Sequence, residues 1–172
     1  MRMLPIALLA LLLPQTGAGS LAYSAPAAWR TRPPASSMRV AEFVIPKTDA
    51  DTEDAELIVY YFGPGGGGGA ETNIQRWIGQ MQQPGGKASD ARRETHVIHG
   101  LKVSMVDVSG TYVAEMSPGA TQHYDKPGFR LRAAVVETPH GSYYIKMTGP
   151  AKTMAAAGPA YEQFIESLHF VQ

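Results

Sequence analysis

ELIVYYF (56–62), GPGGGGG (63–69) and AETNIQRWIGQM (70–81) follow one another without a break, and these three words decide how the chain folds. In an extended backbone Leu57, Val59 and Tyr61 point one way and Ile58, Tyr60 and Phe62 the other. Both faces are apolar, so this strand belongs inside a sheet that is covered on both sides. Ile74, Trp77, Ile78 and Met81 recur at i, i+3, i+4 and i+7, which predicts a helix with one apolar stripe packed on that sheet. Pro84, Gly85 and Gly86 are expected to stop it. The glycines between strand and helix are expected to act as a flexible hinge between packed pieces.

Outward from this centre the pattern is mostly β. Residues 38–46 (MRVAEFVIP) form a β-rich segment closed by Pro46, and the acidic stretch 47–55 is expected as a solvated turn. Residues 92–113 predict two strands joined at His99 and Gly100. Leu101, Val103 and Met105 share one face, whereas Val106 and Val108 lie on the other, and a bulge near Met105 would explain the change of phase. A long loop follows at 116–128, then an alternating strand with Phe129, Leu131, Ala133 and Val135, a turn at 139–141, and a last strand with Tyr143, Ile145 and Met147. Met154, Tyr161, Phe164, Ile165 and Leu168 mark a closing helical stripe, which Gly158 and Pro159 should kink or split because proline removes a helical donor. The expected fold is therefore α+β, a mostly antiparallel sheet of about six strands covered by two helices.

The first twenty residues carry Arg2, an apolar run from Leu4 to Leu13 and then small residues, as a secretory signal peptide does. Residues 1–20 are read as that leader, 21–37 as an extended Ala/Pro/Ser-rich lead-in whose Trp29 docks on the domain, and 38–172 as a single α+β domain. No downstream run has the roughly 20 apolar residues that a membrane-spanning helix needs, so the expected protein is exported and periplasmic or secreted. The chain has no cysteine, so the domain must stand on its core without disulfides, and thiolate metal sites and cysteine nucleophiles are excluded. Formal net charge is zero, with 15 basic and 15 acidic residues, which argues against nucleic acid as a partner.

Gly63, Gly65 and Gly68 satisfy the GxGxxG pattern between a strand and a helix, where a dinucleotide fingerprint belongs. Any run of five glycines does so, however. No strand ending in an acidic residue follows about 20 residues on, and Glu71 would compete with a phosphate at the helix start. No nucleotide cofactor is expected. A small anion held by the backbone at Gly65, Gly67 and Gly69 with Arg76 nearby is the weaker possibility that the tract leaves open. Gly86 and Lys87 are followed by Ala88, which removes the hydroxyl a P-loop needs, and the spaced aspartates of 47–55 lack the glycine and glutamate of a calcium loop.

His96 and His99, three apart on a strand, point to opposite faces and cannot share an ion. Met116, His123 and Asp125, with Tyr124 between them, are the candidate metal ligands, on the loop 116–128. No GxSxG elbow surrounds Ser104, Ser109 or Ser117; a hydrolase would have to gather groups such as Asp107, Glu115 and His123 in space. Tyr60, Tyr61, Tyr143 and Tyr144 can line a ligand groove or simply pack on the sheet.

Taken together, PPASSMRVAEFVIP (33–46), ELIVYYFGPGGGGGAETNIQRWIGQM (56–81), HGLKVSMVDVSGTY (99–112) and GPAKTMAAAGPAYEQFIESLHF (149–170) resemble a family of uncharacterised exported bacterial proteins and, more distantly, the α/β/α sandwich of PsbP-like domains. SSMR and NIQRW are the most specific words of that resemblance, which spans residues 29–170. It implies no catalytic residue. It does imply a binding or assembly module, with a protein or small-molecule partner in the cell envelope.

Overall fold

The computed structural model describes residues 19–86 and 90–172. An antiparallel sheet of eight strands is its frame, built from β2 (Arg30–Arg32), β3 (Arg39–Ile45), β4 (Ala55–Tyr61), β5 (Met81–Gln82), β6 (Arg92–Ile98), β7 (Leu101–Tyr112), β8 (Lys126–Thr138) and β9 (Gly141–Pro150). The order is β2-β3-β4-β9-β8-β7, and β7 then splits its free edge, pairing β6 along its first half and β5 at its end. β1 (Ser20–Ala22) pairs β10 (His169–Val171) in a separate two-stranded ribbon. Helix α1 spans Ala70–Gly79, and α2 (Ala151–Ala156) and α3 (Gly158–Glu166) close the chain.

The α+β class and the antiparallel sheet are as the pattern predicts, but the strands outnumber the six expected. The additional ones are two or three residues long. A strand such as Arg30–Arg32, exposed throughout, has no alternation to betray it. The closing helix is broken at Gly158, with Pro159 in the first turn of α3, so the helices number three rather than two. Helix α1 stops at Gly79, short of Pro84. Gly79 is a weak helix former, and Met81 and Gln82 beyond it pair instead with Tyr112 and Thr111.

No bulge lies at Met105. The β6–β7 ladder runs unbroken from Ile98↔Leu101 to Arg92↔Asp107, and the register of β7 against β8 shifts only between Gly110 and Tyr112. Residues 101, 103 and 105 face one core and 106 and 108 the other, so the apolar phase changes because the two faces of β7 are covered at different ends. The His99–Gly100 hairpin has φ of 45° and 81°, the doubly left-handed turn that fits strand twist.

The lead-in is part of the domain. Trp29 is buried as expected, and so is Leu21, while Ser20, the last residue of the expected leader, opens β1. The remainder of that leader, residues 1–18, and the Lys87 and Ala88 of the failed P-loop lie outside the described residues. Tyr23, Trp29 and Phe43 close around Phe164 of α3 with ring centroids 4.9, 5.4 and 6.3 Å from it. Together with Met154, Tyr161, Ile165 and Leu168 they seal one face of the sheet. On the opposite face α1 lays Ile74 and Trp77 over Val106, Val108, Leu131, Ala133 and Val135, which covers β7 and β8; the β3–β4–β9 half of that face is the more open one, with Val44, Glu56, Tyr60 and Lys146 partly exposed.

Candidate functional site

The open half is built row by row from the register. Directly opposed residues of antiparallel strands share a face, so Glu42, Ile58 and Lys146 form one row across β3, β4 and β9. Val44, Glu56 and Thr148 form the next. Tyr60 and Tyr144 form a third. Asn73, Arg76 and Gln80 stand at i, i+3 and i+7 on α1, and this stripe borders the open floor. The bulge after Gly110 turns Tyr112 back over the same floor, stacked on Tyr124 and Phe129.

Lys146 is the centre of this arrangement. Its half-buried amine donates to Gln80 Oε1 at 2.6 Å and to the Tyr112 hydroxyl oxygen at 2.9 Å, and lies over the Tyr112 ring. Burial lowers its pKa to about 8; Glu56 pulls it back upward, and Arg76 and Arg39 push it further down. Burial pushes the Tyr112 hydroxyl well above the ordinary tyrosine range. It raises Tyr60 as well, and Arg39 sits over that ring.

Beside Lys146 the carboxylates are bonded to arginine. Glu42, 2% exposed, accepts from Ala35 N–H (2.7 Å), Arg32 Nε (2.9 Å) and Arg39 Nη1 (3.0 Å). Its burial would raise the pKa, but the Ala35 amide and the two guanidiniums overcome it and hold the group below the usual carboxylate range. Glu56 takes Arg32 Nη2 at 2.8 Å. Neither Lys146 nor Arg76 has a carboxylate at ion-pair distance among the described residues. Arg76 donates only to Asn73 Oδ1.

The glycine tract forms one end of the site and is fastened down. The Tyr144 hydroxyl lies 2.6 Å from the Gly68 carbonyl oxygen and 3.0 Å from that of Gly66; Asn73 Nδ2 donates to the carbonyls of Gly67 and Gly69 at 2.8 and 2.9 Å. Gly67, at φ 82°, has no room for a side chain, because a Cβ there would meet the Tyr144 ring at 2.4 Å. The expected hinge is therefore a pinned turn. It turns carbonyls, not amides, toward Tyr144 and Asn73, so Gly67 and Gly69 show an anion no donors on that side, and a Cβ at Gly65 would meet nothing. Of the four residues expected around an anion only Arg76 reaches the open floor, from the side of α1.

The other expected site residues do not gather. His123 pairs with Glu115 in an isolated bridge, and its Nδ1 lies 3.0 Å from the Val113 carbonyl. Glu115 accepts the Gly119 amide, Met116 is half-exposed, and among the described residues no three His, Asp or Glu side chains come together as a metal site. Asp107 is elsewhere, held by Arg130 through two bonds of 2.7 and 2.5 Å and by Arg132 at 3.5 Å. It lines a cavity of about 250 Å³ with Arg92, Glu94, Arg132 and Glu162, whose charges are all paired within it. Of the four tyrosines, Tyr60 and Tyr144 face the open half, whereas Tyr61 and Tyr143 stack at 4.5 Å on the sealed face.

Lys146, Tyr112, Gln80 and Glu42 were missed among the candidates. A signal for Lys146 was present, since it is the one charge in a strand, SYYIKMTG (142–149), that is otherwise apolar or neutral. Tyr112 and Gln80 carried none, because a bulge and a shortened helix bring them to the site.

Among solved structures, LpqN of Mycobacterium tuberculosis, described as involved in cell envelope biogenesis, superposes with a TM-score of 0.61 at 11% identity, covering 92% of this chain and 87% of LpqN. A protein of unknown function from Pseudomonas aeruginosa gives 0.50 at 15% identity over 74% of this chain and 80% of its own. The cyanobacterial PsbP of Synechocystis, of the class the sequence resembles, gives 0.49 at 12% over 94% and 99%. At such identities the likeness is one of fold. No protein-family model matches the chain, and no curated protein does.

Proposed function

We propose that this chain is an exported, non-catalytic binding module of the cell envelope that receives its ligand on the open half of the sheet. One observation carries this: Val44, Tyr60 and Lys146 stay partly exposed on the side of the sheet beyond α1, while the carboxylates bonded beside them, Glu42 and Glu56, are committed to arginine. Such a surface offers donors, cations and aromatic area, and its polar groups are held in place by one another. It has no nucleophile paired with a base. The leader-like N-terminus and the part that LpqN plays in envelope biogenesis support the envelope address.

The test is to label the full chain isotopically, add the small-molecule fraction of a cell-envelope extract, and map amide shifts. Perturbation centred on Tyr60, Gln80, Tyr112 and Lys146 is the expected result. Shifts confined to the sealed face or to the 113–125 loop would remove this face from consideration. Turnover of a substrate in the same extract would remove the non-catalytic reading.

A further inference from the structure

We propose that the open half-face binds a small carboxylate with a flat apolar body, the carboxylate seated between Lys146 and Arg76 and the body lying along Tyr60 and Phe62. This rests on the binding face proposed above and specifies what that face selects.

The argument starts from a charge count. Glu42 and Glu56 together neutralise Arg32 and Arg39. That leaves Lys146 and Arg76 as two cations on one floor with no carboxylate of their own among the described residues. Their fields meet, since Arg76 acts on Lys146 and on both Tyr60 and Tyr144. Glu56 offsets part of the charge on Lys146 from a distance, but a half-buried ammonium near a second cation without an ion pair is still an unfavourable arrangement that a bound anion would relieve.

Donor counting narrows the anion. Lys146 has three N–H groups, of which Gln80 and Tyr112 take two. Arg76 spends one bond on Asn73 and keeps the rest of its fork. One ammonium donor and one planar guanidinium edge match the two oxygens of a carboxylate, whereas a phosphate would leave oxygens unpaired. Gln80, bonded to Lys146, caps α1 four residues after Arg76, an axial rise of about 6 Å, which places both cations near the C-terminal end of α1.

The rest of the floor selects the body. Tyr60 and Phe62 stack with an interplanar angle of 4° and centroids 6.1 Å apart, and Phe62 is 39% exposed, an aromatic edge without a cover. Val40 and Met38, each 46% exposed, flank Arg39, which pairs with Tyr60 across the strands. A flat ring fits this strip at small entropic cost, because the tyrosine and phenylalanine that would receive it are already packed on Tyr144 and on each other.

The experiment titrates the labelled full chain at pH 7 with 2-naphthoate, with neutral 2-naphthalenemethanol and inorganic phosphate as separate arms. Naphthoate is expected to shift Tyr60, Gln80, Tyr112 and Lys146, and to bind at least tenfold more tightly than the alcohol or phosphate. Arg76→Gln, on an exposed helix face, should weaken naphthoate about tenfold with an unchanged spectrum elsewhere; Lys146→Met should do the same. If the alcohol binds the same residues equally well, the carboxylate proposal fails while the binding face stands. Equal binding of phosphate also overturns it. Absence of groove shifts with naphthoate overturns it too, and if the envelope extract likewise leaves the groove untouched, the binding face falls with it.

Discussion

The two faces of the sheet bury their residues for different ends. On the sealed face, Trp29, Phe43 and Phe164 interlock with Tyr23, and the charges it carries, Asp107, Arg132 and Glu162, are paired beside Tyr161. On the other, α1 is ten residues long and lies mainly over β7 and β8. The uncovered strands carry Glu42, Glu56 and Lys146 where the sealed face carries Phe43, Leu57 and Met147. The sealed face is held mainly by packed rings and apolar side chains, whereas the β3–β4–β9 half of the other face is held mainly by bonds between polar groups. Substitutions should separate the two accordingly.

The largest effect is expected at Phe164→Ala. Phe164 has no exposed surface and touches the rings of Tyr23, Trp29 and Phe43, so its loss leaves a cavity at the junction of α3, the sheet and the lead-in. A cost of about 3–5 kcal/mol follows. Denaturant unfolding would show it as a lower midpoint. A cost below about 1 kcal/mol would mean that the lead-in does not close this face in solution.

Most of the sealed face was legible in the chain, because it is made of long periodic signals: two-sided apolar strands, the 154–168 helical stripe and a proline that splits it. Trp29 was also legible, as the one tryptophan in an Ala/Pro/Ser stretch. The open face was not. Its residues come from short or displaced pieces whose local sequence has no period, such as β2, β5 and the turn back at Tyr112, and its charges are paired across strands that lie far apart in the chain. Glu42 and Arg32 are ten residues apart and look like any solvated pair until β2 folds onto β3. The glycine tract misled for a related reason. Its composition implies freedom, but Tyr144 and Asn73, which remove that freedom, are 76 and 4 residues away from their nearest glycine partners.

Two alanine substitutions test that pinning, with a middle-sized effect. At Gly67 the left-handed φ costs roughly 1–2 kcal/mol and a Cβ would strike the Tyr144 ring, so Gly67→Ala should destabilise by about 3 kcal/mol in all. At Gly68 the backbone is equally left-handed, but the nearest atom, Asn73 Nδ2, is 3.7 Å away. Gly68→Ala should therefore cost only about 1 kcal/mol. Equal, small losses in thermal unfolding at both positions would restore the flexible hinge expected from composition.

The smallest effect, and the one most specific to the open face, is the pH dependence contributed by Lys146. Its pKa is lowered to about 8 in the folded chain against 10.5 for an unperturbed lysine, chiefly by burial, with Glu56 raising it and Arg76 and Arg39 lowering it; Gln80 and Tyr112 are the groups in contact with the amine. Below pH 8 both folded and unfolded chains hold the proton, and the folded chain carries the full cost of a partly buried cation. Between 8 and 10.5 the unfolded chain keeps the proton and the folded chain releases it, so stability from this group rises with pH across that window. Tyr112 and Tyr60, whose folded values lie above the usual range, oppose the rise only once unfolded tyrosine begins to ionise near 10. Unfolding of the parent chain and of Lys146→Met, measured from pH 7 to 10, should converge or cross, with the parent gaining about 1–2 kcal/mol relative to the variant, a figure reduced for residual solvent access. Parallel curves would mean that the amine is bathed in water and that the open face holds no strained cation for a ligand to relieve.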